Sequence, residues 1–180
     1  TVSPNPASLV VGGTRQFTAV GRDASGNVVA ITPTWSVVAS GGSINGTGLF
    51  TAGTAPGTYT NTVQATSGSI SGRASVTVVA GALATITVTP NPVSTAVTGT
   101  QTFTAVGRDA FGNVVTITPV WSVVAGGGTT NGSGLFTAGM VPGTYTNTVQ
   151  ATSGTVSGSA TVTVSAGALA SITITPDPAN

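Results

Sequence analysis

Few side chains in this 180-residue sequence could do acid, base or nucleophilic chemistry. The acids are Asp23, Asp109 and Asp177, the bases are four arginines, and lysine, glutamate, histidine and cysteine are absent. Glycosidic hydrolysis needs two carboxylates within about 10 Å of each other. Nucleophilic triads and zinc sites need histidine or cysteine. Because 86 residues separate Asp23 from Asp109, we expect no catalytic site and no cofactor.

Asp23 and Asp109 are also the candidates for a calcium site. Calcium takes six to eight oxygen ligands, generally including several carboxylates, whereas each of these aspartates has only backbone carbonyls and Asn27 or Asn113 nearby in sequence. The alternative is that each aspartate starts a hairpin turn and accepts hydrogen bonds from its backbone. The sequence favours this turn role, with at most a weak calcium site and with Arg22 and Asp23 as an exposed ion pair.

The elements that position these residues come from a repeat with an offset of 86 residues. The run TVSPNP at Thr1 returns as TVTPNP at Thr87 and as TITPDP at Thr173, and 64 of 86 positions are identical without a gap. A fixed period of this kind indicates tandem structural units. We predict one repeat over residues 1–82, a second over 83–168 and the start of a third over 169–180.

Apolar and polar residues alternate along each repeat, which is typical of half-buried strands. Residues 16–21 and 73–78 show it most clearly, and further strands are predicted at 28–31, 33–38, 48–52 and 58–66. Turn residues separate the strands, and positive φ angles are expected at Gly26, Gly46, Gly112 and Gly132. The prolines Pro4 and Pro6 should break the first strand into two short pieces, because each removes a ladder donor. About seven short strands per repeat predict an all-β sandwich with Greek-key connections.

Trp35 and Tyr59 support this fold. Trp35 lies mid-repeat on a strand, where immunoglobulin-like domains bury a tryptophan, and Tyr59 starts a late strand, as a tyrosine corner does. Core packing and a backbone hydrogen bond are therefore expected of them rather than a ligand platform.

The repeat resembles the group 2 bacterial immunoglobulin-like domain of intimin- and invasin-like adhesins. The matching runs are VGGTRQFTA from Val11, DASGN from Asp23, WSV from Trp35, GLFTAG from Gly48, GTY from Gly57, VQATS from Val63 and ASVTV from Ala74. The resemblance covers both repeats and implies a stalk or spacer of an extracellular or cell-surface protein, with no catalytic residues. A carbohydrate- or protein-binding module of a secreted enzyme or phage virion is the alternative function.

Composition limits the partners. A net charge of +1, with 4% charged residues, offers no basic face, so nucleic acid is not an expected partner. No apolar run approaches the 18 residues of a membrane span. The expected partners are neighbouring repeats of the same chain, with self-association through residues 173–180 as a route to a fibre. Asn45 and Asn131 match the N-glycosylation pattern, but Asn-Gly is also a hairpin signal, and we prefer the turn.

The linker from Val79 to Ile86 has no polar stretch. Leu83 and Ile86 are expected to pack against a neighbouring repeat and to restrict bending. Two sandwiches end to end would reach roughly 70 to 80 Å.

Overall fold

The computed structural model describes residues 1–174, and every regular element in that range is a β-strand. The prediction of an all-β chain is confirmed. The predicted start of a third repeat at 169–180 falls partly on residues 175–180, which lie outside the described residues, as does Asp177. In chain order the strands are β1 (Val2–Ser3), β2 (Ala7–Val10), β3 (Thr14–Gln16), β4 (Thr18–Ala19), β5 (Gly21–Arg22), β6 (Val28–Val29), β7 (Thr34–Val37), β8 (Gly42–Ile44), β9 (Leu49–Ala52), β10 (Gly57–Ser67), β11 (Ile70–Val79), β12 (Leu83–Thr89), β13 (Val93–Ala96), β14 (Thr100–Thr102), β15 (Thr104–Asp109), β16 (Val114–Val115), β17 (Val120–Val123), β18 (Gly128–Thr130), β19 (Leu135–Ala138), β20 (Gly143–Ser153) and β21 (Val156–Ser165).

The chain forms two compact units. The first contains Thr1–Ala84 together with Arg108–Val115, and the second contains Thr85–Gly107 and the chain from Thr116 onward. The segment Arg108–Val115 thus packs with the first unit, although the 86-residue offset matches it to Arg22–Val29.

The first unit is a sandwich of a four-stranded and a three-stranded sheet. The larger sheet has the order β2-β11-β10-β7 and the smaller has the order β3-β9-β8, with the strand pairs β1-β4 and β5-β6 beside them. In the larger sheet β2 runs parallel to β11, while β10 is antiparallel to both β11 and β7.

The second unit repeats this pairing. Its four-stranded sheet has the order β13-β21-β20-β17, and its three-stranded sheet has the order β14-β19-β18. Val63 pairs with Val37 in the first unit, and Val149 pairs with Val123 in the second. The registers therefore follow the 86-residue offset of the sequence.

Inward-facing residues of the alternating strands form the core. Ala74, Val76 and Val78 are at most 2% exposed, as the alternation predicts. The Phe17 and Phe50 rings meet edge to face with centroids 6.0 Å apart, a favourable geometry for an aromatic pair. Phe103 and Phe136 do the same in the second unit at 6.3 Å.

The first strand is broken at the prolines, as predicted. It forms β1 and β2 on either side of Pro4 and Pro6. Between the prolines, the Asn5 side chain replaces the missing backbone pairing, because its Oδ1 accepts from the Ser75 N–H at 2.9 Å. Asn91 accepts from Thr161 in the same way at 3.0 Å.

The aromatic residues of the sequence prediction differ in burial. Tyr59 donates its hydroxyl hydrogen to the Ala55 carbonyl at 2.9 Å, which confirms the predicted backbone hydrogen bond. Trp35 packs against the core but is only partly buried. Its indole lies beside the backbone of Gly48, where an added Cβ would come within 2.9 Å of the ring.

Two local predictions were wrong. The strand predicted over 16–21 is three short strands, because the chain changes partner at Phe17: β3 pairs with β9, whereas β4 pairs with β1. The positive φ angles expected at Gly46 and Gly132 occur at Gly48 and Gly134, with φ 84° and 82°, whereas those expected at Gly26 and Gly112 are confirmed. The Asn45 side chain causes this shift by accepting hydrogen bonds from the N–H groups of Thr47 and Leu49, which lengthens the turn.

Candidate functional site

The turn at Asp23 is built around its carboxylate. Oδ1 accepts from the N–H groups of Ser25 and Asn27 at 2.9 and 2.8 Å, and Oδ2 accepts from the Asn27 side chain at 3.0 Å. The hydrogen bonds from the Asn27 side chain and then its backbone lower the pKa of Asp23. Aspartate at the start of a turn is favoured for this reason.

The neighbouring Arg22 does not form the expected ion pair with Asp23. Its guanidinium donates to the Gly26 carbonyl at 2.7 Å, across the same turn. The arginine therefore closes the turn from one side while the aspartate holds it from the other.

Asp109 has the same turn with two further hydrogen bonds. Its Oδ2 accepts from the Gly81 N–H at 2.8 Å, in addition to the Asn113 side chain at 2.9 Å. The same Asn113 amide also donates to the Thr54 carbonyl at 2.9 Å. Asp109 is only 4% exposed, and we call residues Asp109–Asn113 the Asp109 turn.

Burial and hydrogen bonding act in opposite directions on Asp109. Burial by itself raises its pKa, but hydrogen bonds from the Asn113 side chain and from the N–H groups of Gly81, Asn113 and Phe111 outweigh it. The pKa therefore falls from 3.8 to about 2. A charged carboxylate that accepts several N–H groups behaves in this way.

Phe111 is the residue that distinguishes the Asp109 turn in sequence, since Ser25 occupies the matching place. Its ring lies beside Gly12 within the first unit, where an added Cβ would be 3.7 Å from the ring. Sequence reasoning identified the turn and this substitution. It missed Gly81 and Thr54 as partners because both lie far from Asp109 in sequence.

The calcium candidates Asp23 and Asp109 are both engaged by their own turns. Residues 1–174 contain no group of three or more histidine, cysteine, aspartate or glutamate side chains that could hold a metal ion. A weak calcium site at either aspartate, which the sequence favours less than the turn role, stays a hypothesis, and the absence of a catalytic site stays a prediction. The described residues also contain no helix long and apolar enough to cross a membrane.

A cavity of about 340 Å³ lies beside β1 in the first unit. Its lining includes the apolar side chains of Val2, Val29, Ile31 and Ile70, together with Gly21 and Gly72. No sequence signal indicated this cavity, because its wall is assembled from distant strands.

Fold and turns together define a tandem immunoglobulin-like β-sandwich protein. No family model and no curated protein matches the sequence. Among solved structures, the chain is similar to the Escherichia coli adhesin FdeC, with 26% identity and a TM-score of 0.52 over 92% of this chain and 62% of that chain. Mouse cadherin-23 EC22-24, with 15% identity and a TM-score of 0.51 over 92% of this chain and 64% of that chain, shares the fold.

The surface layer protein SbsC, domains 1-6, also matches, with 26% identity and a TM-score of 0.43 over 87% of this chain and 24% of that chain. The present chain spans less than two thirds of each of these three structures.

Proposed function

We propose that this chain is a structural spacer, in which tandem group 2 immunoglobulin-like repeats hold a functional end of a longer protein at a distance. The proposal gives the chain a non-catalytic role at the cell surface or outside the cell. The likeness to FdeC, which is described as an adhesin, supports this location and role.

The observation that carries the proposal is the set of bonds made by the Asp109 turn. Asp109 and Asn113 follow the linker in sequence, while their partners Gly81 and Thr54 lie within or before it. All four residues belong to the first compact unit, so these bonds attach Arg108–Val115, a segment of the second sequence repeat, to that unit. An attachment of this kind suits a spacer with limited bending, whereas a flexible tether would gain nothing from burying a charged side chain there.

The repeated registers support the same role. The two sandwiches have the same strand pairing, at residues that differ by 86 positions. The duplicated sequence therefore preserves the sandwich and its turns. Length increases with each copy, and length is the property that a spacer supplies.

Small-angle X-ray scattering tests the proposal on the 180-residue chain. We expect a maximum dimension of roughly 70 to 80 Å, from about eight residues per strand plus loops in each of two sandwiches end to end. A maximum dimension near that of one compact globule would contradict a spacer function.

A further inference from the structure

Asn45 and Asn131 are the two asparagines of this sequence that a glycine follows. The backbone nitrogen after an asparagine can attack the side-chain carbon Cγ, and glycine hinders that attack least because it has no Cβ. Gly46 and Gly132 are both exposed, and a Cβ added to either would have nothing within 4 Å. Each repeat therefore presents an unhindered backbone nitrogen beside an asparagine side chain.

Hydrogen bonds polarise the side-chain carbonyl that would be attacked. Oδ1 of Asn45 accepts from the Thr47 N–H at 3.0 Å, from the Thr47 hydroxyl at 2.8 Å and from the Leu49 N–H at 2.9 Å. Three matching donors surround Oδ1 of Asn131 at 2.8 to 3.0 Å. Because negative charge develops on this oxygen when a nucleophile adds to Cγ, donors already in place stabilise the addition.

The two nitrogen atoms that take part in such a reaction are open to solvent. Within residues 1–174, neither the Asn45 side-chain nitrogen nor the Gly46 N–H donates to a protein acceptor, and the same holds for Asn131 and Gly132. Asn27 differs, because its side-chain nitrogen donates to the aspartate of its own turn at 3.0 Å and a valine follows it. The attacking and leaving nitrogens are thus unrestrained only where glycine is next.

An aspartate fits the same turn. Oδ1 of Asp23 accepts from the N–H groups two and four residues later, at 2.9 and 2.8 Å. Oδ1 of Asn45 makes this pattern with Thr47 and Leu49, and Asp109 makes it in the second repeat. One turn geometry therefore accepts an amide or a carboxylate at its start, and the carboxylate is the stronger acceptor.

We propose that Asn45 and Asn131 are modification sites, at which the folded chain converts asparagine to aspartate through a succinimide. The Gly46 nitrogen loses its proton to solvent and bonds to Cγ of Asn45, and the Cγ–Nδ2 bond breaks so that Nδ2 leaves as ammonia. Water then adds to Cγ, and the bond from Cγ to the Gly46 nitrogen breaks. That nitrogen regains a proton, and the products are a carboxylate and an ammonium ion.

The turn between β8 and β9 also favours one of two products. Water that opens the succinimide at its other carbonyl gives isoaspartate, which routes the backbone through Cβ and Cγ. That change would displace the Asn45 N–H from the Leu49 carbonyl and the Asn45 carbonyl from the Gly48 N–H, which are hydrogen-bonded at 3.0 Å each. Aspartate keeps both bonds, so we expect it to be the main product in the folded chain.

Conversion changes the charge of the chain. Each site gains one negative charge, so conversion of both takes the net charge from +1 to −1. Ion-exchange chromatography should therefore resolve the unconverted, singly converted and doubly converted chains.

Mass spectrometry of the 180-residue chain tests the proposal. The folded chain is incubated in a mildly alkaline buffer, sampled over time and digested with pepsin in acid. Conversion at Asn45 and Asn131 should be about tenfold faster than at Asn27 or Asn61, with aspartate as the main product. Mainly isoaspartate, or a folded chain that keeps both amides while the urea-unfolded chain loses them, would overturn the proposal.

The two sites serve as controls for each other. Gly46→Ala should slow conversion at Asn45 about tenfold, because the new Cβ hinders the attacking nitrogen, while Asn131 in the same chain keeps its rate. Gly132→Ala should do the reverse. Both variants are compatible with the fold, since neither glycine has a positive φ angle or an atom within 4 Å of the added Cβ. Unchanged rates at both sites would show that these nitrogens do not attack.

The hydrogen-bond donors of the turn are tested by a conservative pair of variants. Thr47→Val removes the hydroxyl but keeps the branched shape, so conversion at Asn45 should slow while Asn131 is unaffected. Thr47→Ser keeps a hydroxyl, as Ser133 does in the second repeat, and should keep the wild-type rate. Equal rates in Thr47→Val and Thr47→Ser would show that the turn does not promote the reaction, and thermal melting checks that each variant is folded.

Discussion

The Asp109 carboxylate accepts a hydrogen bond from the Gly81 N–H at 2.8 Å, although 28 residues separate them. Asp23, the matching residue of the first repeat, accepts hydrogen bonds from its own turn and is exposed. Two aspartates with the same local sequence therefore have different roles. One holds a turn, and the other holds a turn and fixes it to Gly81.

Replacing the two aspartates should separate these roles. Asp109→Ala leaves the Gly81 N–H without its acceptor and removes one of the two acceptors of the Asn113 side-chain amide, so we expect a melting temperature several degrees below wild type. Asp23→Ala removes only an exposed turn contact and should shift melting much less. Differential scanning calorimetry of the two variants measures this difference, and equal shifts would contradict the special role of Asp109.

Stability should fall at acidic pH because of Asp109. Its pKa is about 2 in the folded chain against 3.8 ordinarily, so its stabilisation is present above pH 3.8 and is lost as the pH falls towards 2. Denaturant unfolding at pH 5, 4, 3 and 2 should show this loss. Asp109→Asn should flatten the profile more than Asp23→Asn; if both variants keep the wild-type profile, other groups are responsible.

The asparagine between the paired prolines should contribute to stability. Asn91 accepts from the Thr161 N–H and donates to the Ser159 carbonyl, replacing ladder bonds that prolines cannot make. We expect Asn91→Ala to lower the free energy of unfolding by about 1 kcal/mol, the usual net value of a hydrogen bond. Urea denaturation measures it, with the exposed neighbour Ser94→Ala as the control that should change little.

Gly26 and Gly41 have nearly equal φ angles, so substitutions at these two positions distinguish the energetic cost of backbone strain from that of steric overlap. A Cβ at Gly41, with φ 90°, would come within 2.4 Å of the Tyr59 ring, whereas Gly26, with φ 88°, has nothing within 4 Å. Gly26→Ala should cost about 1 to 2 kcal/mol for the left-handed backbone alone. Gly41→Ala should cost clearly more in the same denaturation experiment, and equal losses would show that the ring moves aside freely.

Much of the fold could be predicted from local sequence pattern. The alternation over 73–78 correctly placed Ala74, Val76 and Val78 in the core, because a strand buries every second residue. The break at Pro4 and Pro6 was also correct, since a proline cannot donate to the ladder. These features depend only on residues close to one another in the chain.

Other features depend on contacts that local pattern does not contain. The partner change at Phe17 is set by the Gly48 carbonyl, which accepts from its N–H at 2.8 Å. The burial of Asp109 is set by Gly81 and Thr54, and the same Asp-Ala-x-Gly-Asn run stays exposed at Asp23. Neither outcome follows from the nearby residues alone.

The central claim, that the Asp109 turn stiffens a spacer, is tested most directly by the spread of distances between the two repeats. The chain contains no cysteine, so spin labels at Ser69→Cys and Thr155→Cys report one distance distribution by pulsed electron paramagnetic resonance. We predict a narrow distribution that broadens with Asp109→Ala and stays narrow with Asp23→Ala. A distribution that is broad from the start, or that Asp109→Ala leaves unchanged, would contradict the account.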